Sequence, residues 1–84
     1  MEEIILLVGE GCPGCEEVKK RIKNPSVKIL DVTKSDEAAV LAAENNIFSI
    51  PAVVIKSQKG IEKCDIELED DKVKVKCKGK ELFL

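Results

Sequence analysis

Ile4-Ile5-Leu6-Leu7-Val8-Gly9-Glu10-Gly11-Cys12-Pro13-Gly14-Cys15-Glu16-Glu17-Val18 decides how this chain is read. Residues 4–8 are a continuous apolar run, the pattern of a strand covered on both faces. Gly9-Glu10-Gly11 breaks the run as a loop, and Pro13 suits the first position of a helix, where its missing N–H costs nothing. Glu16 and Glu17 then lie near the positive end of that helix, with Lys19, Lys20, Arg21 and Lys23 toward its negative end. Cys15, Val18 and Ile22 share one face by their spacing, and Asn24-Pro25 ends the helix. Two thiols therefore stand at a helix start, directly after a buried strand.

Such a pair passes between dithiol and disulfide at little conformational cost. A free thiol ionises at about pH 8.5. Helix N-terminal amides favour an anion by up to about 2 kcal/mol in good geometry, enough to draw the first sulfur toward neutrality. Cys12 is expected to be exposed and to act as the attacking nucleophile. Cys15, inside the first turn on the apolar face, is expected to resolve the mixed disulfide by attacking Cys12. In the active-site loop, Gly11 leads in, Pro13 stiffens the segment between the sulfurs, and Gly14 lets a partner backbone approach.

Composition narrows the remaining classes. A length of 84 residues fits one domain, residues 1–84. With 44% apolar and 36% charged residues, the chain reads as an ordinary soluble globule and not a disordered tail. A net charge of −2 argues against general affinity for nucleic acid or an anionic membrane. Phe48 and Phe83 are the only aromatic residues, so base-stacking platforms are lacking. The absence of histidine removes Ser-His and Cys-His catalysis and imidazole zinc ligation. No phosphate-loop motif occurs. The acidic start Met1-Glu2-Glu3 and the short apolar run do not read as a signal peptide. No apolar stretch reaches the roughly 18–20 residues that span a bilayer. A cytoplasmic, mostly reducing location is the expectation.

Downstream, Val27 to Val32 reads as a second strand. Thr33 or Ser35 can cap an alanine-rich helix over 36–45, with Asn46 supplying a left-handed C-terminal residue. Ile47-Phe48-Ser49-Ile50-Pro51 leads into a strand at 52–55, and Lys59-Gly60 turns the chain into another at 61–68. Two β-α steps predict a mainly parallel arrangement of the first three strands, with hairpins adding antiparallel members. A two-residue loop at Asp70-Asp71 sets Glu69 opposite Lys72, Glu67 opposite Lys74 and Asp65 opposite Lys76. On the other face the same register brings Leu68 to Val73, Ile66 to Val75 and Cys64 to Cys77. A one-residue slip would spoil both faces. The lysines at 72, 74, 76, 78 and 80 read as a solvated edge that blocks aggregation.

Strand, Cys-Pro-Gly-Cys, helix, strand, helix, then Ser49-Ile50-Pro51-Ala52-Val53-Val54-Ile55 resembles the thioredoxin fold, in particular its small glutaredoxin-like members. The resemblance covers residues 3 to about 68, a β-α-β-α-β-β core with a mixed sheet in an α/β protein. It implies a cis proline at Pro51 beside the active cysteines, and pairing of the Ile50 backbone with an extended substrate segment. The chain departs from the family in several places. Gly11 stands where thioredoxins carry Trp, Pro13-Gly14 reverses their Gly-Pro, and no acid interrupts 4–8. The glutaredoxin Tyr between the cysteines and its Gly-Gly pair are absent. The C-terminal helix is replaced by an extra hairpin or strand over 61–84.

In the hairpin register Cys64 and Cys77 form a non-hydrogen-bonded pair, whose Cα separation of about 4.5 Å lies within disulfide reach. Three readings stand: buried thiols, a second disulfide of structural or redox character, or metal ligation together with Cys12 and Cys15. For the whole chain the leading expectation is a thiol–disulfide oxidoreductase, with no cofactor and no metal. Its substrate would be a disulfide-containing protein or small molecule, its electron donor a dithiol reductase or reduced thiol, and its state a monomer or weak dimer. The alternatives are a cysteine-based zinc or copper carrier, or an interaction module that has lost turnover.

Overall fold

Glu3–Val8 forms strand β1, and its last four residues are buried in the computed structural model, which describes residues 2–84. Along the chain follow helix α1 (Pro13–Arg21), strand β2 (Lys28–Asp31), helix α2 (Asp36–Glu44) and strand β3 (Ala52–Ser57). Strands β4 (Gly60–Glu69), β5 (Lys72–Cys77) and β6 (Lys80–Phe83) complete a small mixed α/β protein. The six strands form one sheet in the order β2-β1-β3-β4-β5-β6.

Among the described residues only the β1–β2 pair is parallel; β3 runs antiparallel to β1, with Leu7 opposite Ala52. This corrects the mainly parallel arrangement expected for the first three strands. The reason is the length of the connection. Helix α2 starts at the end of β2, where the Ser35 N–H donates to the Asp31 carbonyl at 2.8 Å. Its nine residues cover only about 13 Å. Residues 45–51, long enough for the span, carry the chain back to the end from which α2 set out, where Ala52 meets Leu7, and β3 therefore runs the other way.

Alternation along the strands divides the interior between two faces. Leu6, Val8, Val53 and Ile55 pack with Cys15 and Val18 of α1. Ile5, Leu7 and Val54 pack with Ala38 of α2. Ile50 borders both clusters. Helix α2 is capped by Ser35, whose Oγ accepts the Ala38 N–H at 3.2 Å, and Asn46 adopts a φ of 56° just past its end. Helix α1 stops at Arg21, before the Asn24-Pro25 boundary expected from sequence. The Lys23 and Asn24 N–H groups donate to the Leu84 carbonyl at 2.7 and 3.0 Å, so Leu84 competes for the last turn.

The β4–β5 register is the one the two-faced pattern dictates, from Glu69 opposite Lys72 to Asp65 opposite Lys76. The ion pairs, however, are diagonal: Lys76 meets Glu67 at 3.3 Å, and Lys74 meets Glu69 at 3.6 Å and Glu81 of β6 at 3.0 Å. Long side chains on twisted strands reach such neighbours as readily as the residue directly opposite. Strand β6 was not expected; Gly79, with a φ of 82°, makes the turn that returns it. It covers β5, so most of the lysine series lies on an interior strand and β6 forms the sheet edge. Val73 and Val75 are fully buried in the cluster that holds Cys15 and Val18, so β5 helps to complete the core on the α1 side of the sheet. Among the described residues no helix is long and apolar enough to cross a membrane.

Candidate dithiol site at the start of helix α1

Cys12 is the N-cap of α1, with extended backbone angles (φ −111°, ψ 99°), and Pro13 occupies the first helical position. Its Sγ accepts the Cys15 N–H at 3.1 Å, and its carbonyl accepts the Glu16 N–H at 3.3 Å. The sulfur thus takes the role that Ser or Asp oxygens fill in ordinary caps, satisfying an amide otherwise left open. Cys12 and Cys15 are joined as a disulfide across a Cα separation of 5.2 Å. Cys15 is 1% exposed, packed with Val18 on the apolar face. Cys12 is half-buried, where sequence reasoning expected an exposed residue.

The covering comes from a segment 38 residues downstream. The Ile50 carbonyl oxygen lies 3.8 Å from Cys12 Sγ, within reach of the reduced thiol as a donor. The Ile50–Pro51 peptide is cis, and Pro51 abuts the motif: a Cβ placed on Gly14 would lie 3.4 Å from Pro51 Cδ. Gly14 therefore faces Pro51 as well as solvent. Gly11, at a φ of +69°, takes a backbone conformation that a side chain would strain. Gly9 is a contributor that sequence reasoning missed. A Cβ there would come within 2.5 Å of Ile50 Cδ1, so its absence lets Ile50 settle against the loop. A glycine ending a buried strand was the available signal.

The surrounding charges are superficial. Glu16 pairs with Lys19 at 3.5 Å, Glu17 with Arg21 at 3.4 Å, and Glu10 with Lys34 at 3.4 Å. No charged residue is buried among those described, so local positive potential at the sulfur comes from the helix amides. Asp31, at the same end of the sheet, is held below the ordinary carboxylate range by the Thr33 hydroxyl and is committed to its own turn.

Cys64 and Cys77 are also joined, across a Cα separation of 4.3 Å, and are 5% and 7% exposed. Of the three readings for this pair, the structure holds the disulfide. Among the described residues no three Cys, Asp or Glu side chains converge as metal ligands, so the two pairs do not form a shared four-sulfur site. A cavity of about 470 Å³ between α2 and the sheet, at Ile5, Val40 and Ile61, is remote from this chemistry. Comparison with known proteins finds no matching family model, no matching curated protein and no matching solved structure.

Proposed function

We propose that the chain is a thioredoxin-fold thiol–disulfide oxidoreductase whose working pair is Cys12 and Cys15. One observation carries the reading: the half-buried cap sulfur of Cys12 accepts the Cys15 amide at 3.1 Å, with Cys15 sealed beneath it. That asymmetry separates the two roles. The reduced Cys12 thiolate, held by the helix amides, attacks one sulfur of a substrate disulfide. A mixed disulfide forms and the other substrate sulfur leaves as a thiolate, which takes a proton. Cys15, deprotonated in turn, attacks Cys12 Sγ and expels the second substrate thiol. Two electrons pass to the substrate, and the protein is left with the Cys12–Cys15 bond present here. A dithiol reductase or reduced thiol restores the dithiol, and the reverse sequence oxidises a substrate.

The placement of Ile50 and Pro51 against the motif supports the same reading, since a segment beside the sulfur is where a substrate chain must pass. The test is reduction of insulin by the protein with dithiothreitol as donor, using Cys12→Ser as control. Wild type should exceed the control well beyond its background rate. Equal rates would count against catalysis.

A further inference from the structure

Beside Pro51 lies a cleft of about 270 Å³ with an unfinished strand as one wall. Strand β4 pairs with β3 only as far as Cys64, which sits opposite Val53; from Asp65 to Glu69 it pairs with β5 alone. The two-residue turn makes Glu69–Lys72 a hydrogen-bonded pair, so alternation commits Asp65, Glu67 and Glu69 to β5. The Cα separation of 4.3 Å at Cys64–Cys77, typical of a non-hydrogen-bonded pair, gives the same phase. The N–H and C=O groups of Ile66 and Leu68 consequently point toward the side where β3 has stopped. Pro51 has no N–H to offer them. Among the described residues, no turn, loop or cap bonds to the backbone of either.

This edge is open. Asp65, Glu67, Leu68 and Glu69 are all exposed, Leu68 by 42%. Across the cleft stand Phe48, Ser49 and Pro51. Phe48 is 88% exposed, which leaves an aromatic ring in water one residue from Ser49 and two from Ile50. Pro51, which lines the cleft, follows directly on Ile50, whose carbonyl is 3.8 Å from Cys12 Sγ.

Resting on the redox reading above, we propose that this edge docks a polypeptide substrate, an extended segment beside its disulfide adding as a strand to β4 at Ile66 and Leu68. An unpaired strand edge calls for alternating amides and carbonyls, which an extended peptide supplies. The free stretch is about 16 Å long, more than a small disulfide can span. Apolar side chains at Phe48 and Leu68 select an apolar residue in that segment. Asp65 and Asp70 have no basic partner among the described residues, which favours lysine or arginine beside it. The same carboxylates discourage the edge from pairing with a second copy of itself.

The test traps reduced Cys15→Ser protein through Cys12 with insulin, whose disulfide is opened to leave one chain attached, and separately with hydroxyethyl disulfide, which leaves mercaptoethanol attached and releases a second mercaptoethanol, and follows amide hydrogen exchange. The Ile66 and Leu68 amides should exchange about tenfold more slowly in the insulin adduct, equivalent to roughly 1.4 kcal/mol, and not in the mercaptoethanol adduct. Equal exchange in both adducts would overturn the docking site. Independently, Leu68→Pro, which removes an outward N–H at an edge, and Phe48→Ser should each lower the ratio of insulin to hydroxyethyl disulfide turnover about tenfold. A ratio that does not move, in a protein that turns over both compounds, defeats the docking proposal alone. Wild type inert toward both defeats the redox reading as well.

Discussion

Breaking the Cys64–Cys77 bond should cost this protein a large share of its stability. The cross-link joins residues 13 apart in sequence. Closing a loop of that length removes about 3 kcal/mol of unfolded-chain entropy at 25 °C. For 84 residues, an unfolding entropy of roughly 2.1 cal/mol/K per residue turns this into a Tm loss of about 17 °C. The hairpin is well placed to transmit the loss. Val73 and Val75 of β5 are fully buried in the cluster that encloses Cys15. The cleanest comparison uses a Cys12→Ser/Cys15→Ser background, in which oxidised and reduced samples differ only in the 64–77 bond. Urea unfolding followed by circular dichroism, with and without a phosphine reductant, gives both midpoints and slopes. Reduction should lower the midpoint and steepen the slope, because the uncrosslinked unfolded chain exposes more surface. A stability difference below about 1 kcal/mol would refute the argument that loop closure, rather than packing alone, holds the terminal strands.

Ser35→Ala removes the Oγ that caps Ala38 at 3.2 Å and should cost about 1 kcal/mol in urea unfolding. Gly14→Ala should raise stability by roughly 0.5–1 kcal/mol in the same assay. The added Cβ meets Cδ of Pro51, outside the helix, at 3.4 Å, a van der Waals contact. The hydrogen bond from Lys74 holds the Glu81 carboxyl below its ordinary value. That contribution is therefore present above the unfolded carboxylate range and disappears as pH falls through it and through the lower folded value. Glu81→Gln should lower the neutral plateau of a stability-versus-pH curve and so flatten its acid limb, leaving the most acidic region unchanged.

Much of this architecture can be read from residues alone, for identifiable reasons. The β4–β5 hairpin was legible because charged and apolar faces independently demand one register. The start of α1 was legible because Pro13, the following acids and the trailing bases all mark the same boundary. The direction of β3 was not, since Ala52 to Ile55 is a symmetric apolar run that carries no sign of polarity. Strand β6 was not legible because Lys80 to Phe83 is only four residues long and a lone glycine, Gly79, between two lysines is a weak turn signal. At the candidate site, Cys12 and Cys15 stood out by spacing, whereas the half-burial of Cys12 depends on Ile50, far away in sequence. Register paired Cys64 with Cys77, but whether two facing thiols are bonded is a matter of redox state that side-chain patterning does not encode.

The proposed disulfide exchange depends on the reactivity of one sulfur. The direct measurement is the rate of iodoacetamide labelling of the fully reduced protein against pH, with the modified cysteine identified by mass spectrometry. Labelling should occur at Cys12 in preference to buried Cys15, with a midpoint below the roughly 8.5 of an ordinary thiol. A midpoint and rate at Cys12 equal to those of an unstructured cysteine peptide would contradict it.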